Sequence, residues 1–78
     1  MTGEFSVAQF FPDGSYEYVR RWVTAGEAVL AARDYTRSVG AQTGLVTKVI
    51  VTDGGDNTNF QWEYGKGITF PPEARGKT

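Results

Sequence analysis

The chain predicts an α+β domain of order ββαββ, two antiparallel β-hairpins joined by one helix packed on one face of the sheet. Three observations carry this reading. Both ends of the chain alternate side chains and are rich in aromatic and β-branched types. One central segment instead repeats its apolar residues at helical spacing. Turn-forming Pro, Asp, Asn and Gly residues separate the strand-like runs within each half.

The first strand is expected over residues 5–11, where Phe5, Val7 and Phe11 alternate with Ser6, Ala8 and Phe10. Pro12, Asp13, Gly14 and Ser15 supply the turn. Proline presets φ, aspartate bonds nearby backbone, and glycine accepts a positive φ. Residues 16–23 return as the second strand, with Tyr16, Tyr18 and Trp22 on one side and Val19 and Val23 on the other.

Thr24 and Glu27 have the spacing of a capping box and open a helix over residues 25–39. At 100° per residue its inward face is Ala25, Ala28, Val29, Ala32, Tyr35, Thr36 and Val39. Glu27, Arg33, Asp34, Arg37 and Ser38 fall on the outward face, and Gly40 stands where a helix stops. Leu30 projects from the polar face and is a candidate contact with a second subunit. The inward face is mostly alanine, so the helix backbone can approach the sheet closely.

Gln42, Thr43 and Gly44 read as a short connection, and residues 45–52 as a third strand. A polar loop over 53–59 leads to a fourth strand at 60–64. Gly65, Lys66 and Gly67 interrupt it, residues 68–70 resume it briefly, and Pro71-Pro72 ends the order. The expected boundaries are one domain over residues 1–72 and a disordered tail over 73–78.

The composition narrows the chemistry. The 78 residues contain no His and no Cys but eleven aromatics: two Trp, four Tyr and five Phe. Disulfides are excluded, a structural zinc site has no ligand set, and the usual nucleophiles and general bases are missing. No cofactor is expected, and catalysis is disfavoured. Glu17 and Glu63 both alternate with large aromatics, but nothing in the sequence brings them together as an acid–base pair. Gly76-Lys77-Thr78 mimics the end of a phosphate-binding loop, yet that loop's first glycine would fall at Pro71. Gly65-Lys66-Gly67 is not followed by a helix that could aim its N-terminus at a phosphate.

Net charge is −1, which argues against a dedicated duplex binder. Basic residues nevertheless dominate the middle: Arg20, Arg21, Arg33, Arg37 and Lys48 stand against Glu27 and Asp34. No apolar run has the length of a membrane span, so no membrane association is expected. The opening Met1-Thr2-Gly3-Glu4 lacks a signal-peptide pattern, so a cytoplasmic location is expected.

The loop over 53–59 gathers Asp53, Asp56, Asn57 and Asn59, hard oxygen donors suited to Ca²⁺ or Mg²⁺. Their spacing departs from the EF-hand loop, and Asx and Gly residues are what any hairpin loop uses. A cation site, or a cation-dependent enzyme built on it, is the third-ranked reading.

The first-ranked reading follows from an imbalance. Strands two and three are apolar on both faces, but one helix covers only one face. A chain this short buries only about 60–65% of its unfolded surface and gains from assembly. A homodimer that also binds a partner protein is therefore expected, with Tyr16, Tyr18, Arg20, Trp22, Leu30 and Lys48 as interface or ligand-face residues. The second-ranked reading is single-stranded nucleic-acid binding, with the aromatics stacking bases and Arg20, Arg21 and Lys48 holding phosphates.

The stretch from Val51-Thr52-Asp53-Gly54-Gly55-Asp56 through Phe60-Gln61-Trp62-Glu63-Tyr64-Gly65 to Phe70-Pro71 resembles small bacterial proteins with no assigned activity. The hairpin Phe10-Phe11-Pro12-Asp13-Gly14-Ser15-Tyr16 is similar to theirs as well. The resemblance implies a compact bacterial domain and carries over no functional residue.

Overall fold

The computed structural model describes residues 3–70; the expected domain end at 72 and the tail over 73–78 lie outside the described residues. The elements are β1 (Phe5–Phe10), β2 (Tyr16–Val23), α1 (Ala25–Thr36), α2 (Val39–Thr43), β3 (Lys48–Thr52), β4 (Thr58–Glu63) and β5 (Gly67–Phe70). The strands form one antiparallel sheet in the order β2-β1-β3-β4-β5. Both helices belong to the crossover between the hairpins, and α1 lies over β1, β3 and β2. The fold is α+β, as the sequence predicts.

The first hairpin closes as its residues dictate. Asp13 Oδ1 accepts from the Ser15 N–H at 2.9 Å and from its hydroxyl at 2.6 Å, and Gly14 takes φ +88°. The α1 capping box is complete: the Glu27 N–H donates to Thr24 Oγ1 at 3.2 Å, and the Thr24 N–H donates to Glu27 Oε1 at 2.9 Å.

The single helix expected over 25–39 is two helices. Arg37 caps α1, and Ser38 caps α2 by accepting from the Ala41 N–H at 3.1 Å. The Ser38 hydroxyl also donates to the Tyr35 carbonyl, which ties the two ends together. The break turns Ala41 into the core and leaves Val39 exposed. The inward face is accordingly Ala28, Ala31 and Ala32, while Val29 is 67% exposed. The stop glycine is Gly44 at φ +85°, not Gly40, and the Tyr64 ring packs against it.

Further boundaries move, and the fourth strand, expected over 60–64, spans Thr58–Glu63, which takes Asn59 out of the polar loop and onto β4. The third strand begins at Lys48, because Val46 enters the core from the preceding loop and Leu45 is exposed. The short resumption at 68–70 is a full partner strand: β5 pairs with β4 across a turn in which Gly65 and Gly67 both have positive φ.

The buried apolar side chains among the described residues are all Ala or Val, centred on Val7 and Val49 in the adjacent interior strands β1 and β3. The aromatics, expected to form core as well as interface, sit around this small centre. Phe5, Phe11, Tyr35, Phe60 and Trp62 pack against it half-buried, and Tyr16, Tyr18 and Trp22 are exposed. Among the described residues no helix is long and apolar enough to cross a membrane.

Candidate functional site

The face of the sheet away from α1 is set by register. Tyr16, Phe10, Lys48 and Glu63 share one cross-strand row, and Tyr18, Ala8, Ile50 and Gln61 share another. Residues paired across antiparallel strands lie on the same face. The alternate row, Glu17, Gln9, Val49 and Trp62, therefore belongs to the helix side. Glu17 and Glu63 thus lie on opposite faces and form no acid–base pair.

Strand β2 does not alternate simply. Tyr18 pairs with Ala8 and Arg20 with Val7, so Val19 is an extra residue; a second irregularity sets Arg21 and Trp22 between the Val7 and Phe5 pairings. Each bulge shifts the phase of the side chains that follow. Arg20, expected beside Tyr18 and Trp22, turns to the helix side, where its guanidinium carbon lies 5.8 Å from the Tyr35 ring centre. Arg21 takes its place on the outer face, 4.0 Å from the Tyr18 ring centre and 4.9 Å from that of Trp22.

The outcome is a continuous surface of π-systems with Arg21 set among them. Phe10 stacks on Tyr16 with ring centres 5.0 Å apart, and Tyr16 meets Tyr18 edge-on at 5.7 Å. Arg21 bridges Tyr18 to Trp22, which is 53% exposed. Trp22 holds φ +56°, a region that bulky residues rarely occupy, and its carbonyl accepts from the Gly3 N–H at 3.1 Å. Lys48 joins the patch on its β3 side. Leu30 is exposed on α1, across the thickness of the sheet from this patch.

The carboxylates are engaged locally. Asp53 Oδ1 accepts from the N–H groups of Gly55 and Asn57 at 2.9 and 3.1 Å, an Asx turn that organises the loop. The Asn57 N–H and its companions hold the Asp53 carboxyl below its ordinary range. Asn59 donates its amide to the Asn57 carbonyl, and Asp56 takes φ +61°. Among the described residues no three His, Cys, Asp or Glu side chains gather as a metal site. Glu63 is held low first by the Thr69 hydroxyl, then by the Gln61 amide and the nearby Lys66 and Lys48.

A second feature lies on the helix side, where α1 does not reach over β4 and β5. An apolar groove of about 530 Å³ runs there, between Val29 and Ala32 of the helix and Phe60, Trp62 and Ile68 of the sheet. Sequence reasoning missed it because Val29 has the periodicity of a buried residue. The signal available was the pair Arg33 and Arg37, one turn apart on the same helix. No family model, curated protein or solved structure matches the chain.

Proposed function

We propose that the protein is a non-catalytic module that self-associates through the outer face of its sheet and presents the assembled unit to a partner protein. One observation carries the reading: Trp22, half-exposed beside Arg21, is held at φ +56°. Such a backbone costs about 1–3 kcal/mol and persists where the surrounding structure holds it, here the second irregularity of β2; residues held this way cluster at functional sites. Trp, Tyr and Arg are also the residues that dominate binding energy at protein interfaces.

A second copy fits this face on charge. Lys48 stands opposite Glu63, which leaves Arg21 as the one unbalanced charge of the three, and Arg21 already lies over two rings. The core of Ala and Val side chains supports the same conclusion, because a small domain with little buried bulk gains most from added apolar burial. Sheet extension is disfavoured: the β2 edge has two bulges and two arginines, and β5 has four residues. Face-to-face pairing remains. Single-stranded nucleic acid is the second reading for the same patch, but Arg21 covers one face of the Tyr18 ring that a base would stack on.

Light scattering across a concentration series tests this. The expected result is a particle of twice the 8.6 kDa chain mass. Trp22→Asn suits the backbone and removes the ring, so it should give a folded monomer. A wild-type monomer throughout the micromolar range overturns self-association. Salt-sensitive binding of a mixed-sequence oligonucleotide at Tyr16 and Tyr18 would instead favour the second reading.

A further inference from the structure

The groove beside α1 is concave, apolar and charged at one end, unlike the outer face. Its floor is Phe60, Trp62 and Ile68, and among the described residues the charged ones that line it are Arg33 and Arg37. Pockets of this volume are the usual size for small-molecule sites. Arginines near a helix C-terminus complement the helix dipole. That role explains their presence near the end of α1; it does not require both to line the same groove.

We infer that this groove binds a single-chain amphiphilic carboxylate, its alkyl chain lying on Phe60, Trp62 and Ile68 and its headgroup held by Arg33 and Arg37. The sign of the headgroup follows from the lining, which among the described residues contains two guanidinium groups and no carboxylate. Arg33 Nε lies 3.8 Å from Asp34, a solvent-exposed pair that competes weakly. Arg37 has no carboxylate partner among the described residues. Guanidinium groups bind carboxylates through paired, charge-assisted hydrogen bonds, and their methylene stems extend the apolar wall.

The lining also selects an alkyl chain over a peptide. Besides the two arginines, its polar side-chain atoms among the described residues are the Trp62 indole nitrogen and the Thr36 hydroxyl, and that hydroxyl already donates to the Arg33 carbonyl at 3.0 Å. A peptide laid in the groove would leave several amides without partners, whereas a hydrocarbon chain needs none. The site is independent of the outer face, because α1 and Trp62 lie on the other side of the sheet.

The test is an NMR titration of the full chain with octanoate, decanoate and dodecanoate, each below its aggregation threshold. Saturable shifts are expected at the Trp62 indole and at the amides of Val29, Arg33 and Ile68, with the Trp22 indole unmoved. Affinity should rise about fourfold per added methylene. Arg33→Gln combined with Arg37→Gln should weaken dodecanoate at least tenfold. Both residues are exposed or on the helix surface, and retained amide dispersion confirms the fold. Val29→Glu, also at an exposed position, should abolish binding by placing a carboxylate in the groove. Equal affinity for dodecyltrimethylammonium, an unchanged affinity in the double arginine variant, or shifts centred on Trp22 would each overturn the assignment. So would preferential binding of an acidic amphipathic peptide.

Discussion

Arg21 and Trp22 are sequence neighbours whose side chains meet on one face: the Arg21 guanidinium carbon lies 4.9 Å from the Trp22 ring centre. Simple alternation would send them to opposite faces, and the β2 bulges prevent it. Arg21→Lys keeps the charge but loses the planar group that stacks on the Tyr18 and Trp22 rings. The variant is expected to weaken self-association about tenfold while leaving the thermal midpoint of the monomer nearly unchanged. Sedimentation equilibrium alongside thermal unfolding of the monomer checks both halves.

Gly44 ends α2 at φ +85°, and a Cβ there would stand 3.2 Å from the Tyr64 ring. Gly44→Ala should therefore destabilise the domain by about 1–2 kcal/mol. Repeating the substitution in a Tyr64→Ala background removes the steric part and leaves the backbone part. Urea unfolding of the four species separates them, and a fully additive result would mean that the ring contact contributes nothing.

Removing the α1 cap is a purely local change. Thr24→Ala deletes the oxygen that accepts from the Glu27 N–H and should cost about 1 kcal/mol. Thr24→Ser should restore most of it. Fraying of the first turn of α1, read by amide hydrogen exchange at Ala25 to Ala28, is the accompanying signature.

Acid should destabilise the fold. Glu27 is held below its ordinary 4.5 first by the backbone N–H of Thr24, and Asp13 below 3.8 first by the Ser15 hydroxyl. Asp53 and Glu63 are lowered as well, by the Asn57 N–H and the Thr69 hydroxyl. A carboxyl whose folded pKa lies below its unfolded one stabilises the fold fully above the unfolded value and loses that contribution as pH falls through the folded value. Stability from these groups should be flat from neutrality down to about the ordinary carboxylate values, then decline. Unfolding measured across acid pH checks this; Glu27→Gln and Asp53→Asn should flatten the decline. A fold that gains stability on acidification would contradict it.

Much of this molecule is legible from neighbouring residues. The capping box needs only Thr24 and Glu27 three positions apart, and the first turn needs only Asp13, Gly14 and Ser15. Alternation placed Tyr16 and Tyr18 together because both precede the first bulge. The candidate site became illegible just past that point. Nothing in Val19-Arg20-Arg21-Trp22 announces that two residues will face one, since a bulge is a relation between strands. Arg20 consequently lies on the side opposite to the one that alternation predicts. The helix break has a similar cause: Ser38 has the position of an outward polar residue, and its capping role arises once Ala41 is drawn into the core.

By itself, then, the sequence determined the α+β class, the first hairpin, the start of α1, and the absence of histidine and cysteine chemistry. These depend on composition and on bonds spanning three or four residues. The order β2-β1-β3-β4-β5, the exchange of Arg20 for Arg21 on the outer face, and the groove between α1 and β4–β5 were decided by tertiary structure. Each depends on which distant strand pairs in which register and on how far one short helix reaches across five strands, and local periodicity contains neither.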